Sequence, residues 1–163
     1  MNIIFLDVDG VLNSTNKLIE VYNKTKKQHS GYSYPFDEKC LENLKTLVNK
    51  TNSKIVISST WRKNEKGRRI LLNALKEYEL DKEIIGYTPI LENEKRYIEI
   101  KKYLSNSKDI SNFVILDDDS NMEELTRFLI KTNTQTGLTK ENVQEAINIL
   151  NVSKNKEDEE LDR

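Results

Sequence analysis

Short apolar blocks alternate with helical patterns along this chain, and this alternation limits the possible folds more than any other feature. The apolar blocks, which are typical of buried strands, are residues 2–6, 55–57, 113–116 and 128–130. The helical patterns occupy residues 37–50, 62–78, 94–104 and 139–150. Strands that alternate with helices form parallel sheets, and strands without polar alternation are covered on both faces. We therefore expect an α/β three-layer, Rossmann-like fold with a central parallel sheet.

Local signals add detail at four positions. Asp37 and Thr139 stand directly before apolar residues at helical spacing, so we expect each of them to be a helix N-cap. Gly86 and Pro89 interrupt the chain and predict a loop or a short extended piece between two helices.

The composition argues against several classes of protein. The 163 residues suit one domain, which we expect over residues 1–152, followed by a charged, disordered tail over residues 153–163. A formal net charge of -1 gives no overall attraction to nucleic acid. One cysteine and one histidine argue against an internal disulfide, a structural zinc site and a Ser-His-Asp triad. No targeting segment or membrane span is visible, so we expect a cytoplasmic location and no membrane partner.

Polar clusters follow three of the apolar blocks. Residues 7–10 (Asp-Val-Asp-Gly) follow the first block, residues 58–62 (Ser-Ser-Thr-Trp-Arg) the second, and three aspartates at 117–119 the third. The carboxyl ends of parallel strands share one edge of the sheet, where ligands bind. Crowded carboxylates without His or Cys select a hard cation, and Mg²⁺ is the common choice. Aspartate also ends strands without any function, which explains one cluster better than three together.

These clusters resemble the motifs of the haloacid dehalogenase-like (HAD) superfamily. Residues 7–12 are similar to motif I, Ser58 to motif II, and residues 113–118 to the double-aspartate form of motif IV. Residues 58–62, with the Gly-Leu-Thr sequence at 137–139, further resemble a HAD branch associated with RNA-repair proteins. The resemblance extends to about residue 150. It implies a Mg²⁺-dependent phosphatase that has a small flap rather than a full cap domain.

The resemblance also implies a role for each acidic residue. Asp7 would attack phosphorus and form an aspartyl-phosphate, and Asp9 would protonate the leaving oxygen and later activate water. Mg²⁺ would be bound by Asp7, by the backbone carbonyl of Asp9 and by one motif IV aspartate. Asp118 is the preferred direct ligand, with Asp117 orienting the other groups. Asp119 is expected to form a turn or a helix cap.

Two further roles come from the same resemblance. Ser58 would donate its hydroxyl to a phosphate oxygen, with Ser59 as the alternative because strand ends are predicted only to within a residue or two. The motif III cation would be Lys95 or Arg96, which stand near the start of a predicted helix. Arg96 is the first choice of the two.

Residues outside these motifs give hints about the substrate. Arg62 opens a basic stretch, and we interpret it as a phosphate contact. Trp61 is either a stacking surface for a base or, with slightly more weight, a core residue. Residues 13–36, the flap segment, are too few for a full cap domain and predict a relatively open site. Such a site suits a nucleotide or a nucleic-acid terminal phosphate, and it leaves room for a covering protein partner.

The preferred function is therefore a Mg²⁺-dependent phosphomonoesterase for a nucleotide or a nucleic-acid end. One alternative is a HAD phosphatase for a small phosphorylated metabolite. Another is a catalytically weak phosphate-binding regulatory module, against which the second carboxylate, Asp9, argues because binding alone does not need it. A phosphoryl-transferring mutase fits less well, since a small flap would exclude little water.

Overall fold

The computed structural model describes residues 1–151 and Leu161, so the tail predicted at 153–163 lies outside the described residues except at Leu161. The strands are β1 (Asn2–Leu6), β2 (Ser53–Ile57), β3 (Ile84–Tyr87), β4 (Asn112–Asp117) and β5 (Leu129–Lys131). The α-helices are α1 (Thr15–Thr25), α2 (Glu38–Thr51), α3 (Glu65–Lys76), α4 (Arg96–Ser105) and α5 (Lys140–Leu150). Within these described residues, no helix has the length and apolar character needed to cross a membrane.

The strands form one parallel sheet in the order β3-β2-β1-β4-β5, which confirms the predicted fold class. β1 is central, and its last residue, Leu6, pairs with Ile57 of β2 on one side and with Leu116 of β4 on the other. The chain builds the sheet outward from β1 to β3 and then crosses to the opposite side of β1 for β4 and β5. Open α/β sheets bind ligands where the order reverses in this way.

The central strand explains why the sheet is covered on both faces. Ile4 and Leu6 pack in an apolar cluster with α2, α3 and α5, whereas Ile3 and Phe5 pack with α4 and the 3₁₀ turn at 123–128. All four side chains are completely buried. Each contributes roughly 1.5–3 kcal/mol on burial, so the end of β1, and with it Asp7, has a firmly determined position.

Both predicted helix caps are confirmed. Asp37 Oδ1 accepts a hydrogen bond from the Lys39 backbone N–H at 3.0 Å, and Thr139 Oγ1 accepts one from the Asn142 N–H at 3.2 Å. Asn142 Oδ1 in turn accepts a hydrogen bond from the Thr139 backbone N–H, which completes a capping box.

Two elements were not specified by the sequence pattern. β3 occupies the region predicted as a loop or a short extended piece, and its side chains are only half-buried or exposed because it lies at the sheet edge. α1 lies in the flap segment, which the sequence predicted only as a small flap. None of the residues of α1 is buried, so it lacks the wide apolar stripe that marks a core helix.

Candidate active site

The residues that follow β1, β2 and β4 lie side by side at the carboxyl edge of the sheet. The Asp7 N–H donates to the Leu116 carbonyl at 3.0 Å, and the Ser58 N–H donates to the Leu6 carbonyl at 3.0 Å. These bonds continue the strand pairing by one residue. Asp7 and Ser58 are therefore held in register by the buried strands that precede them. The sheet thus brings together the three polar clusters that the sequence placed at strand ends.

Asp7, Asp117 and Asp118 form a carboxylate cluster. Each offers one oxygen atom, and these oxygens lie within 4.8 Å of one another. Asp117 is completely buried and Asp7 is 5% exposed, while Asp118 is half-buried. Carboxylates held this close and this far from water repel one another strongly unless a cation compensates them.

Among the described residues, Arg96 is the cation that contacts this cluster. Its Nη1 lies 2.7 Å from Asp117 Oδ2 and 3.1 Å from Asp7 Oδ2, so one nitrogen atom bridges two carboxylates. Arg96 is the first residue of α4, which directs its side chain toward the sheet edge. Lys95 precedes it as the helix N-cap, and its side chain is exposed. Of the two cations that the sequence proposed, the fold therefore brings Arg96 to the carboxylates.

One arginine does not neutralise the cluster. Burial, reinforced by the charge of Asp117, raises the pKa of Asp7 from 3.8 to about 7, even though Arg96 opposes this rise. Burial also raises the pKa of Asp117. Burial lowers the pKa of Arg96, but Asp7 and Asp117 outweigh this and hold it above its ordinary value. The cluster carries excess negative charge in a buried position, which a bound divalent cation would offset.

The two motif IV aspartates use their oxygens differently. Asp117 Oδ2 accepts from Arg96, and its Oδ1 accepts from the Asp119 backbone N–H at 2.9 Å. Asp118 Oδ2 accepts from the Thr134 hydroxyl at 3.2 Å, and its Oδ1 has no hydrogen-bond partner among the described residues. Asp119 is exposed, and its side chain accepts from the Asn121 N–H, as expected of a turn residue. Asp118 therefore has a free oxygen for a metal ion, whereas both oxygens of Asp117 are engaged.

Asp9 stands two residues beyond Asp7, and its carboxylate is held at both oxygens. Asn13 Nδ2 donates to Oδ1 at 2.8 Å, and Trp61 Nε1 donates to Oδ2 at 3.1 Å. Gly10 makes the turn after Asp9 with φ +76°, a conformation that other residues rarely adopt. A Cβ atom at Gly10 would also collide with the Asp118 carboxylate. Gly10 is thus required both by the turn and by the space that Asp118 occupies.

Ser58 and Ser59 are completely buried, but only one of them has a free hydroxyl. Ser59 Oγ accepts from the Trp61 backbone N–H at 3.2 Å and caps the 3₁₀ turn at Thr60–Lys63. Ser58 Oγ has no hydrogen-bond partner among the described residues. Buried hydroxyls normally have partners, so a free one at a strand end beside Asp7 fits a ligand-binding role.

Arg62, which the sequence interpreted as a phosphate contact, lies at the edge of the cleft over the site with its donors already engaged by the protein. It is 3% exposed, and its guanidinium donates five hydrogen bonds, which uses all of its N–H groups. The acceptors are the backbone carbonyls of Ser58, Ser59, Thr88 and Pro89 and the carboxylate of Glu99. The bond to Glu99 Oε2, at 2.7 Å, is a buried ion pair. Arg62 therefore joins the loop after β2 to α4 and has no donor left for a substrate.

Trp61 takes the second of the two placements that the sequence left open for it. It is 3% exposed and belongs to the apolar core cluster. The rings of Tyr32 and Phe36, both from the flap segment, pack against it with centroid distances of 5.0 and 5.6 Å. A base cannot stack on an indole that is covered in this way. The core interpretation, which the sequence left open, describes its placement.

Sequence reasoning missed several residues that contact the site. Asn13 and Thr134 bind Asp9 and Asp118, and the Thr132 hydroxyl donates to the Gly10 carbonyl at 2.6 Å. Thr132 and Thr134 directly follow β5, so the strand-end rule that identified the other clusters would also have found them. Asn13 stands four residues after Asp9, and no local pattern distinguishes it from an ordinary turn residue.

A cleft of about 430 Å³ opens over these groups. Asp7, Asp9, Arg96 and Asp118 line it, together with Lys63 and other polar residues from the strand ends and α4. No residue of the flap segment lines it. The flap segment packs instead on Trp61.

A family model described as the HAD domain in Swiss Army Knife RNA repair proteins matches residues 3–143. The chain belongs to this family. Searches among curated proteins and among solved structures give no match.

The match also covers the Gly-Leu-Thr sequence at 137–139, which joins the end of this HAD domain to its beginning. The Leu138 N–H donates to the Val11 carbonyl at 2.9 Å, and Thr139 caps α5. Gly137 has φ +64°, and a Cβ atom there would lie 2.5 Å from Cys40 Sγ and 3.0 Å from the Val11 carbonyl oxygen. The segment therefore packs against the loop that follows Asp7 and Asp9, which is how residues far apart in sequence support one site.

Proposed function

We propose that this HAD domain is a Mg²⁺-dependent phosphomonoesterase that uses Asp7 as its nucleophile and acts on the terminal phosphate of a nucleotide or a nucleic acid. One observation carries the proposal. Buried Asp7 lies with Asp117 and Asp118 against a single arginine, Arg96, beside the free hydroxyl of Ser58. A phosphoryl group needs this combination of an anionic nucleophile, a fixed cation and a hydroxyl donor.

In the first step, a carboxylate oxygen of Asp7 attacks phosphorus, and the bond from phosphorus to the leaving oxygen breaks. Asp9 gives its proton to that oxygen, so the product alcohol leaves neutral and an aspartyl-phosphate stays on Asp7. Asp9 lines the same cleft as Asp7, two residues away along the chain, which suits this division of roles.

In the second step, a water molecule attacks the phosphorus of the aspartyl-phosphate. The Asp9 carboxylate takes a proton from this water, and the bond between phosphorus and the Asp7 oxygen breaks. Inorganic phosphate leaves, Asp7 returns to its carboxylate form, and Asp9 is protonated again for the next cycle. The two carboxylates thus replace one difficult displacement by two easier ones.

The carboxylate cluster suits a magnesium ion, since its donors are all oxygen atoms and its charge exceeds that of Arg96. Asp7, the backbone carbonyl of Asp9 and the free oxygen of Asp118 would hold the ion. Asp117 would keep Arg96 and Asp119 in place. When bound, the ion would offset the repulsion between the anionic nucleophile and the anionic phosphate.

Arg96 and Ser58 would bind the phosphoryl oxygens. Arg96 has N–H groups that remain without partners among the described residues, because only Nη1 is engaged. Ser58 offers its free hydroxyl from the neighbouring strand end. Lys95 is exposed, and we assign it no contact with the transferred phosphate.

Two observations favour a bulky substrate over a small metabolite. The cleft has no cover from the flap segment, so a long polymer can enter without a domain movement. The family description names RNA-repair proteins, which favours a nucleic-acid substrate for this site. The same open cleft also leaves room for a partner chain over it.

The decisive experiment measures phosphate release with Mg²⁺, with EDTA, and from Asp7→Asn. The substrates are an aryl phosphate, mononucleotides, small sugar phosphates, and oligonucleotides with a 3′- or a 5′-phosphate. We expect release that requires Mg²⁺, that is fastest on an oligonucleotide end, and that falls at least about 10⁴-fold in Asp7→Asn.

Asp109→Asn is the matched control. It makes the same chemical change at an exposed residue before β4, at the opposite end of the sheet, and we expect it to keep full activity. Fastest release from a sugar phosphate would favour the metabolite phosphatase instead. A folded protein that binds Mg²⁺ but releases no phosphate from any substrate would contradict the enzymatic function and favour a phosphate-binding module.

A further inference from the structure

The carboxylate of Asp9 has a fixed orientation although the residue is exposed. It accepts one hydrogen bond at each oxygen, from Asn13 Nδ2 at 2.8 Å and from Trp61 Nε1 at 3.1 Å. A carboxylate held at both oxygens cannot rotate about its Cβ–Cγ bond without losing one of these bonds. An exposed aspartate without such partners would sample several rotamers.

The indole that holds Asp9 is itself immobilised by packing. Tyr32 and Phe36 contact its ring, and the ring is 3% exposed. Tyr32 is confined in turn by Gly67 of α3, where a Cβ atom would lie 2.7 Å from the Tyr32 ring. The flap segment therefore reaches the site without lining the cleft, because it holds Trp61 and Trp61 holds Asp9.

Asn13 is the second fixed partner. It is buried, and its Oδ1 accepts from the Gly10 N–H at 2.8 Å while its Nδ2 donates to Asp9. The backbone N–H of Gly10 can only donate, so the amide oxygen must face Gly10 and the amide nitrogen must face Asp9. The turn after Asp7 thus determines which atom of Asn13 meets the carboxylate.

We propose that Trp61 and Asn13 are positioning residues that aim Asp9 for proton transfer to the leaving oxygen. This inference rests on the proposed function, in which Asp9 is the general acid. A proton donor acts efficiently only when it is held in line with the acceptor. The two N–H groups also stabilise the carboxylate that remains on Asp9 after its proton has moved to the leaving oxygen.

A purely structural explanation exists and predicts a different result. A buried indole N–H needs an acceptor, and on this explanation Asp9 serves Trp61 only as that acceptor. Loss of the bond would then disturb the fold and slow all substrates alike. If the bond orients Asp9 for catalysis, its loss would slow mainly those substrates whose leaving oxygen needs a proton.

The test compares Trp61→Phe with the wild type on two substrates. p-Nitrophenyl phosphate has a weakly basic leaving group that departs without protonation. The 3′ oxygen of an oligonucleotide 3′-phosphate, in contrast, departs as a strongly basic alkoxide unless it is protonated. We expect kcat/KM to fall less than about 3-fold on the aryl ester and about 30-fold or more on the oligonucleotide, within the range of general acid catalysis. In an Asp9→Ala background, Trp61→Phe should cause no further loss on either substrate.

Phe36→Leu is the matched control, because it changes the packing around Trp61 without removing the N–H that reaches Asp9. We expect it to affect both substrates equally. If Trp61→Phe does not fold, Asn13→Ala carries the same test and should also show a larger loss on the oligonucleotide. Equal losses on the two substrates in a folded variant would overturn the positioning role. Inactivity of the wild type itself would instead overturn the proposed function.

Discussion

Two arginines lie near the carboxylate cluster, one in the loop after β2 and one at the start of α4, and they use their guanidinium groups in opposite ways. Arg62 has a side chain that is 1% exposed and donates all of its N–H groups to Glu99 and backbone carbonyls. Arg96 has a side chain that is 22% exposed and bonds Asp7 and Asp117 through Nη1 alone. A cation near a cleft can bind a substrate only when it keeps free donors.

The same comparison separates stability from catalysis. The Arg62 ion pair is buried and complete, so we expect its removal to damage the fold. The Arg96 ion pairs are partial and face the cleft, so we expect their removal to damage the chemistry.

Among the cations near the carboxylate cluster, the largest effect is expected from Arg96→Gln. It removes the cation that faces the phosphoryl oxygens while keeping a planar polar side chain. We expect kcat/KM for the best substrate to fall about 10³-fold, which is typical of losing one preorganised charge contact in a transition state. Steady-state kinetics with saturating Mg²⁺ would measure this. If kcat/KM of a folded variant fell less than 10-fold, Arg96 would have a structural role like that of Arg62 and no catalytic one.

The next largest effect is a loss of stability in Arg62→Met. Removing one partner of a buried ion pair leaves Glu99 uncompensated, and we expect the free energy of unfolding to fall by about 3 kcal/mol. Urea unfolding would measure this value. The double variant Arg62→Met with Glu99→Met should recover part of the loss, because it buries no unpaired charge. If the single variant were fully stable but had a raised KM, Arg62 would be a substrate contact after all.

A smaller effect concerns the pH dependence of stability that comes from Asp7, one of the two carboxylates that Arg96 contacts. Burial and Asp117 raise the pKa of Asp7 from 3.8 to about 7 in the folded protein. The unfolded chain gives up this proton at lower pH than the folded protein does, so the free energy of unfolding falls as pH rises from about 4 to about 7. In EDTA at pH 8, we expect Asp7→Asn to raise Tm by roughly 3–6 °C.

Thermal unfolding at pH 4 supplies the control for this prediction, because Asp7 is then protonated in the folded wild type and the advantage of Asp7→Asn should vanish. Mg²⁺ should raise the Tm of the wild type at pH 8 and have little effect on the variant. A lower Tm for Asp7→Asn at pH 8 would show that Arg96 compensates Asp7 fully and that the cluster carries no excess charge.

The smallest effect is expected from Lys95→Ala. Lys95 neighbours Arg96 in sequence, but its side chain is exposed and lies outside the carboxylate cluster. We expect a change in kcat/KM of less than about 3-fold, since an exposed charge contributes little. Measured beside Arg96→Gln, it tests which of the two neighbours is the motif III cation. A loss as large as that of Arg96→Gln would assign the role to both.

Much of the fold could be predicted from the sequence because its signals are local. β1, β2 and β4 each contain an uninterrupted apolar run, and α2 and α5 follow residues with capping side chains. β3 and α1 escaped prediction because neither buries a full face, so neither carries a strong pattern. The strand-end rule placed Asp7, Ser58 and the motif IV aspartates at one edge, and it would have placed Thr132 and Thr134 there too.

Local sequence signals were enough to predict the order of the elements and the polar residues that share the sheet edge, because parallel strands all end on the same side. Which of these residues keep free atoms for a ligand depends instead on tertiary packing. Arg62 finds its acceptors at Thr88, Pro89 and Glu99, and Trp61 finds its cover in the flap segment. Burial and saturation of hydrogen bonds depend on such distant neighbours, which no local pattern specifies.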